Sequence, residues 1–337
     1  MSSRAELVST GIFVPDREIT NEELKQRFSK TAPDFVDKIA ASSGIQTRWY
    51  APDDWATSDL AVRAAQDALD RAGLEARDLD LIVLGTDTPD YITPATSVVL
   101  QAKLGAHRAG TFDVGCACAS FPTGIMTASG FIASQPAIER VLVVGAYMMH
   151  RLADPNDPMV FFYGDGAGAA ILQRSAAPGV MQGAFLADGT YAKHWGIFSG
   201  GTAEPATAES LAAGRTQVRM TEKYPNEIND EGWPRLMRAV AERNGFGLDD
   251  IDLAIFTQVR RNTILKAGEE LGLPESKLHM VMQKWGYTGS ACIGMALHDA
   301  VCQGAARPGD LITLVGSGVG YNQAAVALRL TDTLKGT

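Results

Sequence analysis

The stretch Phe112-Asp-Val-Gly-Cys-Ala-Cys-Ala-Ser-Phe-Pro-Thr-Gly124 sets two cysteines among small residues where an apolar segment gives way to a helical one. His107–Val114 reads as a strand, and Phe121, Ile125, Ala128, Phe131 and Ile132 recur at helical spacing towards Ser134. A thiol at this handover faces the unpaired N–H groups and positive dipole end of the helix, which favour thiolate. Gly115, Ala117, Ala119 and Ser120 leave room for a carbonyl to reach the sulfur. The same residues also suit a buried cysteine packed as a small apolar side chain, so the rest of the chain has to decide.

Outside this stretch the chain repeats itself. Ala68–Thr86 and Val240–Gln258 share one layout: a helix closing at a glycine (Gly73, Gly245), a short acidic turn, then an apolar strand. Phe121–Val144 is echoed by Cys292–Val315, and Ala169–Leu172 by Ala324–Leu328. The early echoes lie roughly 172 residues apart, a spacing that marks an internal duplication. Both halves alternate helical and strand-like segments, which predicts an α/β fold with largely buried sheets. The division is residues 1–177 for the N-terminal half with the cysteine pair, 178–221 for a connection of strand edges and loop, and 222–337 for the C-terminal half. Chains built from two such halves place their chemistry where the halves meet.

Composition narrows the function classes. A net charge of -9 over 337 residues argues against nucleic acid or an anionic membrane as the main partner. No apolar run is long enough to span a bilayer, and the start of the chain lacks a basic-then-apolar signal pattern. Cys116-Ala-Cys118 is too tight for a zinc knuckle, and Cys292 and Cys302 add no second ligand pair, so no metal is expected. Free thiols in a reducing cytoplasm are the simplest reading.

At this point the chain resembles the thiolase superfamily, and within it the β-ketoacyl-acyl-carrier-protein synthase III group. Gly44-Ile-Gln-Thr-Arg48, Asp113-Val-Gly-Cys-Ala-Cys-Ala-Ser-Phe121, Val143-Val-Gly145 with Arg151 and Asp154-Pro155, Gly164-Asp-Gly-Ala-Gly-Ala169 and Gly316-Ser-Gly-Val-Gly320 carry the likeness almost end to end. It implies a five-layered α-β-α-β-α fold of duplicated halves, a homodimer whose central sheets run together, and a cysteine thioester intermediate. No cofactor is held permanently; a coenzyme A or phosphopantetheine thioester is the substrate. Cys118 falls on the nucleophile. The Gly318-Val319-Gly320 turn falls on the second oxyanion donor, Val319 or, with a one-residue slip, Gly318; the N–H of Cys118 is the first. Asp165 is expected to hold an Asx-type turn. Phe35 falls on an adenine-stacking position, the accompanying family arginine on Asp157, and Arg260 and Arg261 lie near the entrance. Tyr91, Met148, Phe161 and the 178–221 segment are expected to shape the acyl tunnel.

One departure matters most. Where the family carries histidine and asparagine, the alignment puts Thr257, followed by Gln258, and Tyr287. Stabilising the enolate formed by malonyl decarboxylation is the work of that pair, and losing one such donor costs roughly 10²–10³ in rate. Threonine and tyrosine hydroxyls donate hydrogen bonds but carry protons poorly near neutral pH. Acylation of Cys118 depends on thiolate character and the oxyanion site instead. Of His107, His150, His194, His279 and His298, His150 and His194 are the first candidates for a replacement base.

Three readings follow. The first is an acyltransferase taking an acyl group from an acyl-CoA or acyl carrier protein onto Cys118 and passing it to a small-molecule acceptor in fatty acid or specialised metabolite synthesis. The second keeps decarboxylative condensation with an altered Thr257/Tyr287 enolate site. The third is a non-catalytic subunit paired with an active homologue.

Overall fold

A computed structural model describes residues 4–177 and 179–335; Pro178, the first residue of the expected connection, lies outside them. The strands in chain order are β1 (Arg4–Phe13), β2 (Arg17–Thr20), β3 (Thr47–Tyr50), β4 (Leu81–Gly85), β5 (Gly110–Val114), β6 (Arg140–Tyr147) and β7 (Gly166–Ser175) in the first half. They continue with β8 (Ala184–Ala187), β9 (Trp195–Gly196), β10 (Arg219–Met220), β11 (Leu253–Phe256), β12 (Leu311–Gly318) and β13 (Asn322–Arg329).

Two sheets carry the duplication. The first has the order β1-β7-β6-β4-β5 and the second β8-β13-β12-β11, so four strands of one match four of the other. Pairing repeats as well: β4 runs parallel to β6 as β11 does to β12, while β7 and β13 run antiparallel to those neighbours. The fifth strand has a vestigial counterpart, the single parallel bridge between Ala254 and Leu278. β5 begins at Gly110, not His107, because a turn occupies His107–Arg108. β8 comes from the segment expected to be a connection, yet it closes the edge of the second sheet.

Strand alternation builds two cores. Ile82 and Leu84 of β4 and Leu142 and Val144 of β6 face the Thr57–Ala72 helix, while Leu81, Val83, Val141 and Val143 face inward. Inward lie two helices, Ser120–Ser134 and Cys292–Cys302, each packed against strands of both sheets. Ser120–Ser134 carries no charged residue, as a helix in the middle layer requires. In Cys292–Cys302 every residue from Cys292 to Val301 is buried, His298 and Asp299 included. Thr57–Ala72 and Thr96–Leu104 cover the outside of the first sheet, and Glu227–Asn244 and Arg261–Leu271 lie outside the second. This is the five-layered α-β-α-β-α arrangement. Buried Arg48, from the Gly44–Arg48 motif, ties β3 to the rest by donating to the carbonyls of Phe161 and Ile19 at 3.1 Å and to Asn21 at 2.8 Å.

The halves meet at close quarters through Gly145 on β6. A Cβ there would stand 2.3 Å from the backbone carbonyl oxygen of Ser290. Gly145→Ala is therefore expected to cost about 1–3 kcal/mol as backbone is forced apart, read as a lower denaturant midpoint at unchanged slope; an unchanged midpoint would contradict this packing.

Candidate active site

The Phe112–Gly124 stretch contains a one-turn 3-10 segment, Ala117–Ala119, leading straight into the Ser120–Ser134 helix. Ala117 has φ +46°, the only positive φ outside glycine among the described residues, so this turn stores backbone strain. The second half repeats the turn at Gly289–Ala291, with φ +45° at Gly289. Ser290 thus holds the place in the second turn that Cys118 holds in the first. A Cβ at Gly289 would strike the Tyr147 ring at 2.1 Å, which fixes glycine there for space as well as torsion.

Cys118 is buried and opens on a cavity of about 940 Å³; Cys116 does not line it. Five of the lining residues come from the C-terminal ends of parallel strands: Asp87 just after β4, Cys118 after β5, Tyr147 at the end of β6, Thr257 after β11 and Val319 after β12. In α/β folds ligands collect at those strand ends. Tyr287, ahead of the second turn, hydrogen-bonds its hydroxyl to the Cys118 sulfur. The Thr257 hydroxyl accepts from the Ser317 N–H at 2.8 Å, which aims its own proton elsewhere. Phe35, Ile39, Met149, Met159, Phe162 and Trp195 supply apolar wall, and exposed Lys38, Lys223 and Arg260 stand on the rim.

Burial dominates the electrostatics. It pushes the Cys118 thiol well above its usual range, and the nearby Asp87 carboxyl adds to the effect; the Tyr287 hydrogen bond works the other way. Desolvation likewise raises Tyr287 and Tyr147, and it lifts Asp87 against the hydrogen bond from Ser290. Enclosure therefore works against the thiolate that the start of the helix would favour.

Comparison with known proteins now has a geometry to meet. Residues 112–189, which contain the Cys118 turn, match 3-oxoacyl-[acyl-carrier-protein] synthase III, and residues 241–330 match the C-terminal part of the same family. A β-ketoacyl-[acyl-carrier-protein] synthase III of Symbiobacterium thermophilum is 34% identical over 329 residues, 96% of this chain and 97% of that one. The chain belongs to the synthase III family. The 3-oxoacyl-[acyl-carrier-protein] synthase III of Aquifex aeolicus superposes with a TM-score of 0.84 at 29% identity, covering 96% of this chain and 99% of that one. The priming β-ketosynthase of the R1128 polyketide pathway superposes at 0.88 and 28% identity, covering 99% and 98%.

Against the synthase III pattern the structure sorts the expected residues. Cys118, Thr257, Tyr287, Val319, Phe35 and Arg260 share one cavity. Gly318 instead ends β12 with its open face against the Cys116 carbonyl, where a Cβ would lie at 2.1 Å, so Val319 is the turn residue that lines the cavity. Gln258 is not a substrate group. Its amide is spent on the Phe256 and His279 carbonyls and the Val281 N–H, at 2.8, 3.2 and 2.7 Å. Arg261 points away to Glu275 at 2.5 Å. Asp157 caps the Pro158–Phe161 turn through the Met159 N–H.

Neither first-choice histidine lines the cavity. His150 pairs through Nδ1 with buried Asp165 and stacks on Tyr50, while His194 packs outside on Tyr224 and faces Glu222 at 3.4 Å. Asp165 accepts the Ala51 N–H at 2.8 Å, a long-range tie rather than a local Asx turn. Tyr91 is exposed, Met148 packs into the outer core and Phe161 backs the wall, their neighbours Met149 and Phe162 doing the lining. Sequence reasoning missed Asp87 and Tyr147, whose signal is their place at the ends of apolar runs that become parallel strands.

Alkylation of Cys118, mapped by peptide mass, should rise continuously with pH from 7 to above 9. Tyr287→Phe should slow it about tenfold at fixed pH, because a hydrogen bond to the thiolate is lost. A rate already level at pH 7 would contradict the buried-thiol account.

Proposed function

We propose that this protein is a cysteine-dependent acyltransferase: Cys118 takes an acyl group from a coenzyme A or acyl-carrier-protein thioester and hands it to a small-molecule acceptor. The carrying observation is the joint placement of Cys118, Val319 and a long apolar wall in one cavity, with no histidine beside the sulfur among the cavity's described residues. Transfer through a thioester needs the sulfur, two backbone donors and room for the chain, and those features are supported here. In this reading the N–H groups of Cys118 and Val319 receive the oxyanion, and the apolar wall holds the acyl chain. Lys38, Lys223 and Arg260 on the rim suit the phosphates of a pantetheine donor, and Phe35 beside them offers an aromatic edge.

In this reading malonyl-dependent condensation is not the main reaction. Thr257 and Tyr287 stand where two polar partners of an enolate would be, and Asp87, the one carboxyl lining the cavity among its described residues, offers no positive charge to hold one. A strained nucleophile turn retained intact speaks for a working site over a non-catalytic subunit. We further propose a homodimer in the cytoplasm. β5 is an open sheet edge, and Val98 and Phe131 are exposed apolar residues on helices of the same half. No helix among the described residues is long and apolar enough to cross a membrane.

Intact-protein mass after incubation with a panel of acyl-CoA and acyl-carrier thioesters tests the transfer. The expected outcome is one added acyl group on the native chain and none on Cys118→Ala; folded protein that takes no acyl group from any donor would overturn it. Light scattering should give twice the chain mass, and a monomer at micromolar concentration would contradict the dimer.

A further inference from the structure

Asp87 is the one carboxyl in the cavity, among its described residues, and the family pattern gave no reason to look for it. It follows the all-apolar strand β4 and shares the cavity with Cys118, Tyr147 and Tyr287. Ser290 fixes it: the serine hydroxyl donates to Asp87 Oδ1 at 2.6 Å, with the Ala146 carbonyl as a longer alternative at 3.2 Å. The second half's copy of the nucleophile turn therefore positions a carboxyl for the first half's nucleophile. No lysine or arginine among the described residues forms an ion pair with Asp87. The titratable groups coupled to it are Cys118, Cys292, Tyr147 and Tyr163, with Tyr287 in the same cavity, all neutral in their protonated forms.

Resting on the acyl-transfer reading above, we propose that Asp87, held by Ser290, is the acid–base residue of this site and that the acceptor is a protic nucleophile, a hydroxyl or an amine. In the first half-reaction the Cys118 thiol proton goes to the Asp87 carboxylate as the sulfur bonds to the donor carbonyl carbon. The carbon–sulfur bond of the donor breaks, and Asp87 returns the proton to the departing thiolate. In the second, the acceptor's O–H or N–H attacks the acyl carbon, the bond to Cys118 breaks, and the proton passes through Asp87 to the Cys118 sulfur. The net change is donor thioester plus acceptor to acyl-acceptor plus free thiol, with no oxidant or reductant. A malonyl acceptor fits poorly because it would bring negative charge towards Asp87, whereas a protic acceptor brings a proton that Asp87 can take. Burial raises the carboxyl's hold on a proton against the pull of the Ser290 hydrogen bond, the direction a base needs.

The test is quenched-flow mass measurement of Cys118 acylation between pH 5 and 9, then clearance of the acyl-enzyme by ethanolamine, a probe bearing both an amine and a hydroxyl. Asp87→Asn keeps an oxygen for Ser290; it should slow both steps about 10²-fold or more and erase the acid limb of the pH profile. Ser290→Ala removes the hydrogen bond that favours the carboxylate, so its acid limb should move to higher pH while the fast-limit rate changes little. Rates within threefold of the native protein and an unchanged profile in Asp87→Asn would overturn the proposal. Should that variant fail to fold, an unmoved acid limb in Ser290→Ala would overturn it as well. If the native chain takes no acyl group at all, the acyl-transfer reading fails and this one with it. Normal acylation with an indifferent Asp87→Asn defeats the base alone.

Discussion

The site depends on the contact between two tight turns, Ala117–Ala119 and Gly289–Ala291, held against one another between two sheets. Each turn starts with a residue in the left-handed region and runs into a buried helix of the middle layer. Backbone can approach this closely only where side chains are absent, hence Gly145 against Ser290 and Gly289 under Tyr147. The duplicated fold thus brings the C-terminal ends of parallel strands from both halves to one place. One copy of the turn carries Cys118; the other carries a serine that holds a carboxyl.

What the two halves enclose is short of charge. A helix N-terminus stabilises an anion by about 0.3–1 kcal/mol, whereas full burial can move an ionisable group by several pKa units of about 1.4 kcal/mol each. At Cys118 the larger effect is burial, and the net push on the sulfur is towards the thiol. Tyr147, Tyr287 and Asp87 are pushed by the same enclosure in the same direction, each towards holding its proton more tightly. Chemistry there has to move a proton among neighbours, and the groups able to do so are few.

Much of this was legible in the amino acids. The Phe112–Gly124 stretch singled out Cys118, which lines the cavity, and Gly73 and Gly245, both left-handed helix caps, marked the duplication. Thr257 and Tyr287 were found as departures because motif spacing survives where the side chains do not. Other features depend on distant contacts that no local pattern encodes. Gln258 and Arg261 lie beside residues of the cavity, yet one is consumed by backbone groups and the other by Glu275. His150 stands near the site in sequence, but buried Asp165 claims it. Asp87 sits in Gly85-Thr-Asp-Thr-Pro-Asp90, which reads as an ordinary polar turn until β4 is known to lie between β5 and β6. The second sheet's vestigial fifth strand, reduced to the Leu278 bridge, was invisible for the same reason.

The central claim is that the chain has kept acyl transfer through Cys118 while losing the polar apparatus for an enolate. Carboxyl-labelled malonyl thioester, offered to enzyme already acylated on Cys118, tests this directly by counting labelled carbon dioxide. The account predicts release no faster than from Cys118→Ala, with the acyl group still on the protein. Prompt release, one carbon dioxide per acyl group lost, would show that Thr257 and Tyr287 support condensation after all and would contradict it.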